Sequence, residues 1–145
     1  MTFKIIQTGT SEYQEMIALR MDVLLQPIGI PLSYIDHEKE REDILISLEE
    51  RGKMDGCCIL THKQSGKVQL RQMAIRKAKQ GTGYGRNLVA FAEEVATSQG
   101  FEIIVLHARN AVIPFYEKCG YHIVGDGFVE VGIEHHIMEK KIKRS

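Results

Sequence analysis

Apolar residues in this chain recur with two periods, and the switches between them mark out its elements. The opening run TFKIIQT alternates apolar and polar positions as a half-buried strand does. Ser11 and Gln14 then form a capping-box pair ahead of an amphipathic run, which predicts a helix to about Leu25. Prolines and a glycine between Gln26 and Pro31 predict its stop and a loop. From Asp36 to about Arg51, DHEKEREDILISLEER reads as a second helix, with Ile44, Leu45 and Leu48 turned inward and the charge run as a solvated outer face. Gly56–Ile75 holds two β-rich runs separated by Gln64-Ser65-Gly66, a hairpin turn. Leu88, Phe91, Ala92 and Val95 fall at helical spacing, and Gly100 is placed to end that helix. FEIIVLHA, Phe101–Ala108, is nearly continuous in apolar residues, as a strand covered on both faces would be. A short helix from Val112, broken at Gly120, and a last pair of strands in His122–Ile142 complete the chain. The predicted order β-α-α-β-β-α-β-α-β-β belongs to the α/β class, a mixed sheet with helices on both faces.

Composition narrows this picture mainly by exclusion. At 145 residues the chain suits one domain, 1–145, with a core large enough to need no staples. Its 19 basic and 19 acidic side chains cancel. No global field then gathers nucleic acid or an anionic membrane, and neither is expected as a partner. The start MTFKIIQTGT lacks a long apolar core and a small-residue cleavage site. No stretch approaches the ~20 apolar residues of a membrane span, so a cytoplasmic location is expected. Cys57 and Cys58 are adjacent and Cys119 stands alone, which fits neither a disulfide framework nor a CxxC motif. All three read as small buried hydrophobes.

The stretch KQGTGYGRNL, Lys79–Leu88, puts three glycines at the mouth of a helix. Amides at a helix N-terminus lack intrahelical partners and carry the positive end of the macrodipole, so glycines that admit a ligand closely make an anion site. A tight turn needing positive φ is the other reading of the same glycines. A P-loop is excluded because GxxxxGK followed by Ser or Thr is absent, and GxGxxG fails at Arg86.

Gln80, Gly83 and Gly85 resemble the Q/R-x-x-G-x-G/A motif of the GNAT superfamily of acyl-CoA N-acyltransferases, and LRQMAI before them resembles its central strand. Downstream, VIPFYEKCGYHIVG is similar to the family's second motif, a helix carrying Phe-Tyr-Glu-Lys followed by Gly-Tyr and a strand. LRMDVLLQPIGIP, DHEKE and GIEHHIMEK resemble a bacterial branch of small GNAT proteins. The resemblance covers nearly the whole chain and is strongest from Leu70 to Gly125. It implies a GNAT-like fold, a mostly antiparallel sheet splayed between the strand ending at Ile75 and the one ending near His107. It also implies acetyl-CoA as co-substrate. Its pantetheine arm would pair with the main chain of Met73, Ala74 and Ile75, and its pyrophosphate would sit on the amides of Gly81, Thr82, Gly83, Tyr84, Gly85 and Arg86, behind Gln80.

Acetyl transfer to an amine needs a neutral amine, a polarised carbonyl and a proton for the leaving thiolate. By the resemblance, the N–H of Ile75 polarises the thioester and Tyr116 is the proton donor, the catalytic residue. The proton acceptor is not spelled out, because the central strand offers only Gln69, Arg71 and Gln72. His107, Glu130, Glu134 and His135 are the remaining titratable candidates near the expected acceptor side. His135 and His136 are adjacent on a strand and face opposite sides, so no metal pair is expected. Arg109 stands where the second motif commonly has asparagine, able to reach a coenzyme phosphate or an acidic acceptor, and is grouped with the coenzyme residues. The expected function is N-acetyl transfer from acetyl-CoA to a primary amine of a small molecule, peptide or protein lysine, by direct attack in a ternary complex. A regulatory module that binds acyl-CoA without chemistry is the alternative. GNAT proteins often form homodimers, and this chain leaves that question open.

Overall fold

The computed structural model describes residues 1–142. Its strands are β1 (Thr2–Ile6), β2 (Ile44–Glu50), β3 (Lys53–His62), β4 (Lys67–Ile75), β5 (Ile103–Arg109), β6 (His122–Glu130) and β7 (Ile133–Lys141). They form one sheet in the order β1-β2-β3-β4-β5-β7-β6. Every pair is antiparallel except β4 with β5. The helices are α1 (Ser11–Arg20), α2 (His37–Glu40), α3 (Tyr84–Ser98) and α4 (Ile113–Lys118). On one face α3 and α4 bury Leu88, Ala92 and Tyr116 against Ile46, Leu60, Leu70 and Ile104. On the other, α1 buries Tyr13, Met16 and Ile17 against Leu45, Cys57, Ile59 and Ala74. No helix among the described residues is long and apolar enough to cross a membrane.

The expected helix over Asp36–Arg51 does not form. Only one turn, α2, is helical, and Ile44–Glu50 is strand β2, inserted between β1 and β3. The reason is visible in where the apolar residues go. Leu45 packs toward α1, whereas Ile46 and Leu48 pack toward α3. A four-residue buried run that feeds two opposite faces is a strand covered on both sides, which periodicity alone does not separate from a buried helix. The solvated-face reading also fails at Glu40, whose carboxylate is buried against α1. At the start of α1 the cap is Thr10 rather than Ser11: its Oγ1 accepts from the Tyr13 N–H at 3.1 Å. A π-helical turn, Met21–Leu25, carries the helix on from α1 to its expected end at Leu25.

Two irregularities shape the middle of the sheet. The parallel β4–β5 ladder pairs only Lys67 with Ile103, Val68 with Ile104 and Gln69 with Val105, and beyond Gln69 the strands part. Next to the gap, β4 takes three steps from Arg71 to Ala74 while β3 takes two from Ile59 to Cys57, a β-bulge with Gln72 at φ 53°. Gln72 is held there by a buried network. Its Oε1 accepts from Arg20 Nε at 3.1 Å, and Arg20 forks onto both oxygens of Glu40 at 2.9 and 2.7 Å. Tyr13 O–H donates to Glu40 at 2.6 Å.

Candidate active site

The gap between β4 and β5 opens into a cleft of about 1000 Å³ that passes through the sheet. Strand alternation sorts its lining into two halves. Leu106 and Ala108 belong to the α3–α4 core, so His107 and Arg109 face the α1 side. His135 lies opposite Arg109 and Phe128 opposite His135, so these and Glu130 share that face. The other half is bounded by the loop before α3 and by α4.

In the α3 half, the glycine loop has the backbone that its composition requires. Gly81 and Gly83 adopt φ 77° and 89°, the left-handed region that β-branched side chains avoid. Gly83 is the N-cap of α3 and offers no side-chain bond. The first intrahelical bond runs from Asn87 N–H to Gly83 O, so the amides of Tyr84, Gly85 and Arg86 have no intrahelical acceptor. Gly85 is small for a different reason: a Cβ there would lie 3.1 Å from the Phe115 ring, which packs under the loop. Gln80 braces the turn, donating Nε2–H to Ile75 O at 2.9 Å. Gly81, Gly83, Gly85 and Arg86 line the cleft. The Thr82 hydroxyl is turned to Lys79 O and the Tyr84 hydroxyl to Glu50.

The β4 edge beside the gap is open to a ligand. Arg76 N–H bonds Asp55 O on the β3 side, whereas Ile75 O takes the Gln80 bond on the cleft side. A strand residue presents its N–H and C=O to the same edge, so the Ile75 N–H also faces the gap, where β5 provides no partner. The Met73 and Ile75 side chains line the cleft, while Ala74 is buried toward α1. Tyr116 borders the same space from α4, and among the described residues nothing hydrogen-bonds its hydroxyl. Burial raises its pKa well above the ordinary phenol value, so it remains a donor at neutral pH. Cys57 and Cys58 are buried and their thiols are pushed up by desolvation, Cys57 to about 12. Cys119 is half-buried, with its thiol raised by the same cause.

The α1 half holds the titratable groups. His107 Nδ1 and Glu130 Oε1 are 2.9 Å apart. An ionised carboxylate only accepts, so Nδ1 carries the hydrogen and Nε2 is the acceptor of the neutral ring. His107 meets the Phe128 ring edge-on, and Phe128 stacks on His135, whose Nδ1–H donates to Ile133 O at 2.7 Å. Glu130 reaches across β7 because β6 is kinked: it takes four steps from Val124 to Phe128 while β7 takes two from Ile137 to His135. Arg109 donates from Nη2 to Leu24 O, 3.3 Å away in the π-helical turn. His136 faces the other side, donating to Asn110 Oδ1 at 2.8 Å. Glu134 is exposed and outside the cleft. Among the described residues no group of three or more His, Cys, Asp or Glu could hold a metal ion.

Gln80, Gly81, Gly83, Gly85, Arg86, Met73, Ile75, Tyr116 and Arg109 thus line one cleft, together with three of the four base candidates, whereas Thr82, Tyr84 and Ala74 do not. The cleft wall also includes Ile28 and Tyr34, from the Gln26–Ile35 stretch where the sequence reading put the acceptor side, but that reading missed Val23 and Leu24 and the pairing of His107 with Glu130. Only the GDG run before Phe128, with Gly125 at φ 81°, signalled the kink that joins them.

Residues 31–142 match the profile of the acetyltransferase (GNAT) domain. YyaT, an uncharacterised protein of Bacillus subtilis strain 168, is 34% identical over 78 residues, 54% of this chain and 53% of that one. The chain spans between about half and three fifths of the length of the first curated relatives it matches. A crystal structure from Lactobacillus plantarum, solved as a candidate N-acetyltransferase, superposes with a TM-score of 0.87 at 27% identity, covering 99% of this chain and 100% of that one. An aminoglycoside 6′-N-acetyltransferase complexed with coenzyme A shares the fold, with a TM-score of 0.85 at 16% identity over 100% and 99% of the two chains.

Proposed function

The chain belongs to the GNAT acetyltransferase family, and from that premise we propose that it transfers an acetyl group from acetyl-CoA to a primary amine by direct attack in a ternary complex. The observation that carries this reading is the cleft itself: an anion-binding helix mouth, an open strand edge and a phenol on one side, and an imidazole–carboxylate pair on the other. The residues present fit coenzyme A, because the unpaired amides of Tyr84, Gly85 and Arg86 suit a pyrophosphate and the bare β4 edge suits an amide-bearing arm. Acetyl-CoA supplies the activated acyl group. The Ile75 N–H donates to the carbonyl oxygen as charge gathers there. His107 Nε2 takes the proton of the attacking amine, while Glu130 holds the ring in the required tautomer and offsets the imidazolium charge. The Tyr116 O–H donates a hydrogen bond to the departing sulfur, whose thiol has a pKa of about 8.5 and is a stronger acid than the buried phenol, so the group leaves as a thiolate stabilised by that bond. A positioned donor is thus needed at the moment the C–S bond breaks, rather than net deprotonation of the tyrosine.

Thiol release measured against an amine panel tests the proposal. Turnover above the rate of acetyl-CoA hydrolysis is expected; coenzyme binding with no amine-dependent release would leave a binding module. Tyr116→Phe is expected to lower kcat about 10-fold to 100-fold with acetyl-CoA affinity retained, because only the hydrogen-bond donor is lost. Unchanged kcat at saturating amine would remove Tyr116 from the chemistry. Gly83→Val is expected to abolish acetyl-CoA binding in calorimetry. A β-branched residue at φ 89° costs about 1–3 kcal/mol and re-aims the first amides of α3. Gly100, at the far end of α3, has the same φ, so Gly100→Val carries a similar strain and should retain binding.

A further inference from the structure

The charges of the α1 half narrow what that half can hold. Glu130 is engaged by His107 at 2.9 Å, and Arg71 faces Asp43 at 3.7 Å. Arg109 has no acidic partner among the described residues, and its hydrogen bond to Leu24 O at 3.3 Å leaves the rest of its donors unused. A guanidinium is a planar fork of five N–H donors that fits a carboxylate with two parallel bonds. Here the fork sits half-buried against the apolar wall of Val23, Leu24 and Ile28, where a cation without a counter-charge is poorly screened.

We infer that the acetyl acceptor is a primary amine that carries a carboxylate, with Arg109 holding the carboxylate and His107 facing the amine. The inference rests on the acetyl-transfer reading above. His107 and Arg109 are two residues apart on one face of β5, so their Cα atoms are about 7 Å apart. An amine and a carboxylate separated by a few bonds, as in an amino acid, span that interval once the two side chains lean together. A polyamine would instead set further ammonium groups against Arg109, with only the engaged Glu130 among the lining residues to answer them. A phosphate dianion would leave one charge uncompensated, because Arg71 is already turned to Asp43.

The test is a matched panel on the full chain: amino acids, their carboxamides, phosphoethanolamine and spermidine, with thiol release as the readout. Carboxylate-bearing amines should exceed their carboxamides about 10-fold to 100-fold in kcat/KM, the usual weight of a charge-assisted bidentate pair. Arg109→Ala should erase that preference through KM and retain acetyl-CoA affinity, and Arg109→Lys should restore part of it. Equal or better turnover of the carboxamides, of phosphoethanolamine or of spermidine would overturn the inference. So would an Arg109→Ala variant that weakens acetyl-CoA binding yet keeps the preference, since Arg109 would then serve the coenzyme. Failure of every amine to release thiol from a protein that binds acetyl-CoA would instead remove the acetyl-transfer reading, and the inference with it.

Discussion

His107→Gln is expected to lower kcat/KM for amine acetylation by about 10²–10³-fold, the usual contribution of a positioned general base. Glutamine is close in size and keeps an amide N–H that can donate to Glu130, but it has no basic nitrogen to take the proton of the amine. Acetyl-CoA affinity should be retained, because His107 lies on the α1 side of the sheet and the glycine loop on the other. The pH profile separates loss of a base from loss of shape. An imidazole must be neutral to accept, so wild-type kcat/KM should fall on the acid side, and the residual activity of the variant should lack that limb. Glu130→Gln should be milder in turnover than His107→Gln, because the ring keeps its accepting nitrogen and loses only the carboxylate that offsets the charge it gains in the transition state. Wild-type rates in His107→Gln, with the loss appearing in His135→Gln, would transfer the role to the neighbouring ring stacked on Phe128.

The glycine-loop half of this cleft was legible in the sequence and the α1 half largely was not, for physical reasons. An anion cradle made of amides requires particular backbone angles, and those angles restrict composition, so Gly81 and Gly83 carry their conformation in their identity. The continuous apolar strand β5 and the 3.6-period face of α3 are likewise local facts. His107 and Glu130, in contrast, are 23 residues apart and meet only because β7 lies between their strands and β6 kinks over it. The missed strand β2 teaches the same lesson from the core. The run of Leu45, Ile46, Ser47 and Leu48 has no period that names its partners, and only the presence of β1 and β3 on either side decides in favour of a strand. Glu40 looked like one more surface charge because its partner, Arg20, belongs to the preceding helix.

That pair gives the largest expected effect on stability. Glu40→Ala should cost about 3–5 kcal/mol, because Arg20 is 0% exposed and would be left as an uncompensated buried cation. For a chain of this length the melting temperature should fall by roughly 10 °C. The acid dependence follows from the carboxylate. Burial raises the Glu40 pKa, but the hydrogen bonds from Arg20 and Tyr13 outweigh it and hold the group below its ordinary value. A depressed carboxylate stabilises the fold above its unfolded pKa, about 4.3, and that contribution is lost as pH falls through the folded value. Wild type should therefore lose more stability than Glu40→Ala below that point. Replacing both partners with apolar residues, Arg20→Met with Glu40→Leu, should recover much of the melting temperature, since no charge is then buried. It should not recover turnover. Arg20 Nε donates to the side chain of Gln72, which sits at φ 53° one residue before Met73 on the β4 edge that presents the Ile75 N–H, so loss of that bond is expected to loosen the bulge. A stable double variant with a reduced kcat would separate the two roles of the network; full kcat would mean that the bulge keeps its shape without Arg20.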